Sequence, residues 1–207
     1  MSSLFINLSK THALLKDACN NPVVKASPAK KYVDNYYNYA AEKMHAIEHA
    51  ELKQNSKCLD ISTGSGLLPY MLRNLDHTCD ATDILDPRDD MDTDVEDGTV
   101  TQVDAFSVFR KIHGVSITNL KIEKSKPVKL TSRYDCIFST RVVWDTGWGK
   151  DKENYQTIVN SLLDYADKIV ISWNMDGIKD IPPVLLPYVV QDQFEYGTLT
   201  VHTEKII

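Results

Sequence analysis

Residues 57–66 read KCLDISTGSG, and this stretch decides the fold. The apolar run through Ile61 has the length and composition of a buried strand. It breaks into Ser62, Thr63, Gly64, Ser65 and Gly66, five residues with almost no side chain between them. Helical spacing of apolar residues resumes at once in LLPYML, with Pro69 in the first turn, where a missing N–H costs little. A strand, a bare turn and a helix in succession form the first half of a crossover to a parallel strand.

Working outward, further short apolar runs recur in TCDATDI, TQVDAF, YDCIFST and KIVISW. Helix-like segments separate several of them, and KENYQTIVNSLLDYA precedes the last. Strands alternating with helices predict a doubly wound, Rossmann-like α/β sheet that is mostly parallel and covered on both faces. Near-continuous apolarity in CIF and KIVIS fits strands buried on both sides. PYVVQDQFEYGTLTVHTEKI carries two alternating runs around EYG and predicts a C-terminal antiparallel hairpin. Upstream, residues 29–52 have helical periodicity, with Tyr32, Tyr36, Tyr39, Met44 and Ile47 three to five positions apart. The expected organisation is one domain over 1–207, with an N-terminal helical region over 1–56. Residues 86–98 are too acidic to cover a sheet well, and residues 112–133 alternate roughly, as an inserted hairpin or arm would.

Composition narrows the function. The 207 residues carry a net charge of −6, which disfavours a phosphate backbone as partner. The four cysteines make no CxxC pair, and three lie in apolar runs where a thiol acts as a small hydrophobe. That usage and the lack of a leader-like N-terminus predict a cytoplasmic location. No apolar stretch approaches the roughly 20 residues of a membrane span.

In a doubly wound sheet, ligands bind outside the carboxyl ends of the strands. A turn of small residues there lets backbone approach a ligand. Gly64 and Gly66 start a dinucleotide fingerprint, but Pro69 stands where the third glycine belongs, and no P-loop run exists. The remaining pattern, an acid before a small-residue turn, resembles the first motif of the class I S-adenosylmethionine-dependent methyltransferases, D/E-x-G-x-G-x-G. It stands here as Asp60-Ile61-Ser62-Thr63-Gly64-Ser65-Gly66, with Ser62 in place of the first glycine.

The resemblance extends to about residue 175. It implies S-adenosylmethionine as cofactor, with Asp60, Ser62, Thr63, Gly64, Ser65 and Gly66 at its methionine end. Asp83, followed by Ile84, would grip the ribose hydroxyls from the second strand, with Asp80, earlier in the strand, as the lesser alternative; the task suits a carboxylate. Asp104 and Ala105 would face the adenine after a third strand, TQVDAF. Tyr134 and Asp135 would open the fourth strand, with Ser139 near its end. The acceptor would lie against 139–148, where Arg141 is the candidate anion holder and Asp145 the candidate base, beside Trp144 and Trp148. Neither a [DNS]-P-P-[YFW] run nor a Pro-Cys pair occurs, so a small molecule or a protein side chain is the expected acceptor. No resident metal is expected.

Two other readings compete. One is a scaffold that binds S-adenosylmethionine without turnover. The other is a zinc peptidase, because HAIEH at 45–49 matches H-x-x-E-H and sets His45 and His49 one helical turn apart, with Glu96 or Glu123 as a third ligand. Against function for the N-terminal tyrosines stands simple packing of an amphipathic helix face.

Overall fold

The computed structural model describes residues 2–83, 102–123, 125–140, 152–174, 189–190 and 196–202. Helices α1 (Ser2–Ala18), α2 (Pro22–Ala26), α3 (Lys31–Asp34) and α4 (Tyr36–His49) precede the first strand. The long helix expected over 29–52 is divided at Asn35, whose φ of −108° and ψ of 26° separate α3 from α4. Then follow β1 (Lys57–Ile61), α5 (Leu67–Arg73), β2 (Thr78–Asp83), α6 (Gln102–His113), β3 (Thr118–Asn119) and β4 (Cys136–Thr140). Helix α7 (Lys152–Leu163), β5 (Lys168–Asn174), β6 (Val189–Val190) and β7 (Tyr196–His202) complete the described chain.

The strands lie in the order β3-β2-β1-β4-β5-β7-β6. The first five are all parallel, and the chain reverses direction across the sheet between β1 and β4. β7 pairs antiparallel with β5 from Tyr196–Asn174 to His202–Lys168, and β6 pairs antiparallel with β7. Residues 191–195, between β6 and β7, lie outside the described residues.

Adjacent strand residues enter opposite cores, as a pleat requires. Cys58, Phe138 and Val170 join Leu8, Tyr36, Ile47, Leu68, Met71 and Phe109 under α1, α4, α5 and α6. Leu59, Ile137 and Ile169 join Ile158, Val159 and Leu162 under α7. This two-sided burial explains the unbroken apolarity of the β4 sequence, whose five residues are all buried. All four cysteines are free thiols, and burial raises the Cys58 thiol pKa to about 12.

Two expectations are corrected. The run QVDAF, residues 102–106, does not form the third strand: it opens α6. Over so few residues the run reads either way, but Ala105 and Phe109 recur at helical spacing on one buried face, which carries the segment into a helix. The third strand comes instead from the supposed arm of 112–133. Thr118 and Asn119 pair with Thr82 and Asp83, and the rest returns across the sheet without a helix. Val128 in that return is buried, and its N–H bonds the Oγ of Ser161 on α7 at 2.8 Å. Between this return and β2 lies a half-open cavity of about 600 Å³, lined in part by Asp80, Arg73, Ser116, Lys129 and Tyr134.

Candidate functional site

The site grows from the end of β1. The Thr63 N–H bonds the Thr82 carbonyl at 2.9 Å, which carries the β1–β2 pairing into the turn, and the Gly66 N–H closes the turn on the Thr63 carbonyl at 3.0 Å. Ser62, Gly64 and Gly66 all have positive φ, at 58°, 54° and 78°. The turn therefore winds through left-handed conformations at alternate residues, and a serine occupies a position that favours glycine. That is a physical reason for glycine at the first position of the motif, and Ser62 meets its demand at some cost.

Glycine at the other two positions serves packing as well as conformation. A Cβ on Gly64 would stand 3.4 Å from the Phe106 ring, and one on Gly66 would stand 3.0 Å from Val115 Cβ. The bare side of the bend thus accommodates α6 and the residues after it, where the sequence alone suggested room for a ligand.

Asp83 ends β2 as expected and faces the turn. Its Oδ2 accepts the Gly64 N–H at 2.8 Å, and the guanidinium of Arg110 stands 3.8 Å from the same oxygen. Its side chain keeps 21% exposure. A carboxylate only accepts hydrogen bonds, which suits it chemically to a diol. Asp60, in contrast, is buried, with 1% exposure. Its Oδ2 accepts the Thr63 hydroxyl at 2.5 Å. Burial raises its pKa to about 7, against the lowering effects of the Thr63 hydrogen bond and of Lys43 nearby.

Two residues that sequence reasoning missed hold the turn from α6. Arg110 donates to the Gly64 carbonyl at 2.8 Å, and His113 bonds the Ser65 carbonyl through Nδ1 at 2.8 Å. Burial lowers the His113 pKa to about 4, so the ring is neutral at pH 7 and Nδ1 carries its proton. Its Nε2 lies 3.4 Å from the Tyr36 hydroxyl. The available signal is the helical spacing of Phe106, Phe109, Arg110 and His113, which a strand reading of TQVDAF hides.

Other expected residues fall in several places. Asp104 and Ala105 lie on the first turn of α6 and not behind a strand, and Ala105 is fully buried in the core. The residue level with Asp83 on the third strand is Asn119. Ser139 is fully buried in β4, paired with Ile61. Tyr134 and Asp135 are structural ties: the Tyr134 hydroxyl donates to Asp80 at 3.0 Å, and the Asp135 carboxylate accepts the Lys57 N–H at 2.7 Å. Ile84, Arg141, Trp144, Asp145 and Trp148 lie outside the described residues.

The tyrosines divide. Tyr36 is buried in the core, while Tyr32 stacks on Tyr39 at 4.7 Å and meets Phe106 edge-on at 5.1 Å. They therefore join the packing that backs Gly64. In HAIEH, His45 is buried and its ring meets His49 edge-on at 4.4 Å, while Glu48 is exposed. Glu123 pairs with Lys126 at 2.6 Å, and Glu96 lies outside the described residues. Among the described residues no three metal-ligating side chains gather.

The strand order, with an antiparallel strand inserted beside β5, and an acid at the end of each of the first two strands together delimit one architecture. The fold is that of the class I S-adenosylmethionine-dependent methyltransferases. The structure is similar to that of TehB from Haemophilus influenzae, with a TM-score of 0.51 at 14% identity over 85% of this chain and 67% of that one. It is also similar to a TehB-like SAM-dependent methyltransferase from Corynebacterium glutamicum (TM-score 0.48, 13% identity, 85% and 98% of the two chains). A third similar structure is an S-adenosylmethionine-dependent methyltransferase from Clostridium acetobutylicum (TM-score 0.49, 14% identity, 80% and 63%). The sequence matches no protein-family model and no curated protein. At such identities the likeness speaks for the fold, and the chemistry must be argued from the residues.

Proposed function

We propose that this chain binds S-adenosylmethionine and transfers its methyl group to a small molecule or a protein side chain. The observation that carries the reading is the Asp83 carboxylate, held against the Gly64 amide where the chain reverses between β1 and β4. These residues fit the cofactor: Asp83 would take the ribose hydroxyls, Asp60 and the 62–66 turn the amino-acid end, and Asn119 the side of the cleft next to Asp83. Asp104 and Ala105 support the adenine side through α6, whose Phe106 backs Gly64. The cofactor supplies an electrophilic methyl on a sulfonium. The protein's task is to align an acceptor lone pair opposite the breaking S–CH3 bond and to exclude water.

Arg141 would orient the acceptor and Asp145 would accept its proton where the acceptor is protonated at neutral pH. In the same reading the chain works in the cytoplasm, β6 and β7 belong to a C-terminal antiparallel hairpin, and nucleic acid is not the acceptor. Among the described residues no helix is long and apolar enough to cross a membrane. A second reading, a scaffold that binds the cofactor without turnover, is favoured by one observation: Ser62 carries a side chain in a left-handed conformation of the binding turn.

Titration calorimetry with S-adenosylhomocysteine tests the proposal. Asp83→Ala should weaken binding by about tenfold or more, the scale of a lost charged hydrogen bond. Unchanged affinity refutes the ribose assignment. Binding without methyl transfer to small-molecule or protein pools decides for the scaffold.

A further inference from the structure

The return from β3 to β4 crosses the sheet without a helix, and the space a helix would fill remains as the half-open cavity of about 600 Å³ beside β2. That volume lies in the range of small-molecule sites. Neither Asp60, the 62–66 turn nor Asp83 lines it, so it is separate from the candidate cofactor site. Arg73 and Lys129 line it, and neither forms an ion pair among the described residues. Arg73 is also held in place. Its Nε donates to the Pro69 carbonyl at 3.2 Å, and its terminal nitrogens donate to the carbonyls of Gly114 and His113 at 2.9 and 3.1 Å. Three of the five N–H donors of the guanidinium are thereby engaged, and two are left without a partner among the described residues.

A guanidinium fixed by carbonyls, with N–H groups to spare, suits an oxyanion, because the fork is already ordered. A cavity of this size is about one Debye length across, roughly 8–10 Å, so an anion inside it feels Lys129 as well. A phosphate group has oxygens enough for both spare N–H groups and an ammonium together, where a carboxylate has only two. The rest of the wall offers hydroxyls, from Ser116, Thr118, Thr131 and Ser132. Asp80, the one carboxylate lining the cavity, accepts the Tyr134 hydroxyl at 3.0 Å. A carboxylate there favours a hydroxyl donor and repels a second anionic group. We infer that this cavity binds a small phosphorylated polyol. Its phosphate meets Arg73, with Lys129 as the second positive charge, and its hydroxyls meet Asp80 and the Ser116, Thr131 and Ser132 side chains. The inference does not rest on the cofactor reading.

Titration of the whole chain followed by nuclear magnetic resonance tests it with three probes: ribose 5-phosphate, inorganic phosphate and ribose. Ribose 5-phosphate should shift the amide signals of Ser116, Thr131 and Ser132 saturably at millimolar concentration. Inorganic phosphate should bind several-fold more weakly, and ribose should leave the signals unmoved. Lys129 is exposed and has no partner among the described residues, so Lys129→Gln keeps the fold. It should weaken ribose 5-phosphate by about fivefold or more. Arg73→Lys keeps the charge, loses the fork and should weaken it too. S-adenosylhomocysteine should not displace the probe. Shifts centred on residues 62–66 and Asp83, or displacement by S-adenosylhomocysteine, overturn the assignment. So does the absence of any shift, or a Lys129→Gln protein that binds like wild type. Ribose that binds as well as its phosphate overturns the phosphate contact, and inorganic phosphate that binds as tightly as ribose 5-phosphate overturns the polyol.

Discussion

Replacing Asp60 by asparagine should stabilise the ligand-free protein more in alkaline solution than in acid. Asp60 is 1% exposed, Oδ1 has no hydrogen-bond partner, and its folded-state pKa stands near 7 against 3.8 for a free side chain. The sign follows from proton binding. Between pH 4 and pH 7 the folded chain holds a proton that the unfolded chain has lost, so stability falls as pH rises through this window and levels off above it. At about 1.4 kcal/mol per pKa unit, raising the pH from 5 to 8 costs the native state up to about 2.6 kcal/mol through this group alone. Relaxation and water penetration bring the working expectation to about 2 kcal/mol. Asparagine has nearly the same shape, cannot ionise, and retains an oxygen for the Thr63 hydroxyl. Urea titrations of both proteins at pH 5 and pH 8 isolate the effect, because every other titrating group cancels in the difference between wild type and variant. The variant should gain about 2 kcal/mol more at pH 8 than at pH 5. An equal change at both pH values would refute the claim that Asp60 is buried with an unmet charge. The gain in stability should come with a loss of S-adenosylhomocysteine affinity, as expected where a binding group is held at a cost.

Other outcomes follow from single contacts. Ser62→Gly removes a left-handed side chain at φ 58° and should stabilise by about 0.5–1 kcal/mol net of the greater freedom of unfolded glycine, read as a rise in Tm of about 1–4 °C. Gly66→Ala joins a positive φ to a 3.0 Å approach to Val115 and should lose about 1–3 kcal/mol in urea unfolding. Ser161→Ala strands the buried Val128 N–H, which now bonds Ser161 Oγ at 2.8 Å, and should cost about 1–3 kcal/mol by the same assay.

The parallel core and the glycine turn were legible because each rests on a local signal. KCLDIS, YDCIFST and KIVISW are apolar on both faces, and a bend through Gly64 and Gly66 needs small residues whatever surrounds it. Asp83 was legible because a strand ends where its apolar run ends. What escaped depends on partners distant in sequence. Arg110 and His113 matter because α6 lies across the turn, and nothing within residues 102–113 announces that neighbour. The misread third strand shows the same limit: six residues of TQVDAF cannot reveal a period of 3.6, whereas Gln102–His113 can. Thr118–Asn119 is too short a strand to stand out from the polar residues around it.

The brevity of β3 matters beyond the site. A sheet margin with unpaired backbone invites another chain to extend it, and that is how many α/β proteins begin to aggregate. Here the outermost strand offers only Thr118 and Asn119, and the stretch of β2 beyond its reach is bordered by Asp80, Arg73 and Lys129. A strand arriving there would have to strip water from charges of both signs for the sake of a few backbone bonds. The missing helix between β3 and β4 thus leaves a gap that is guarded by electrostatics rather than by bulk.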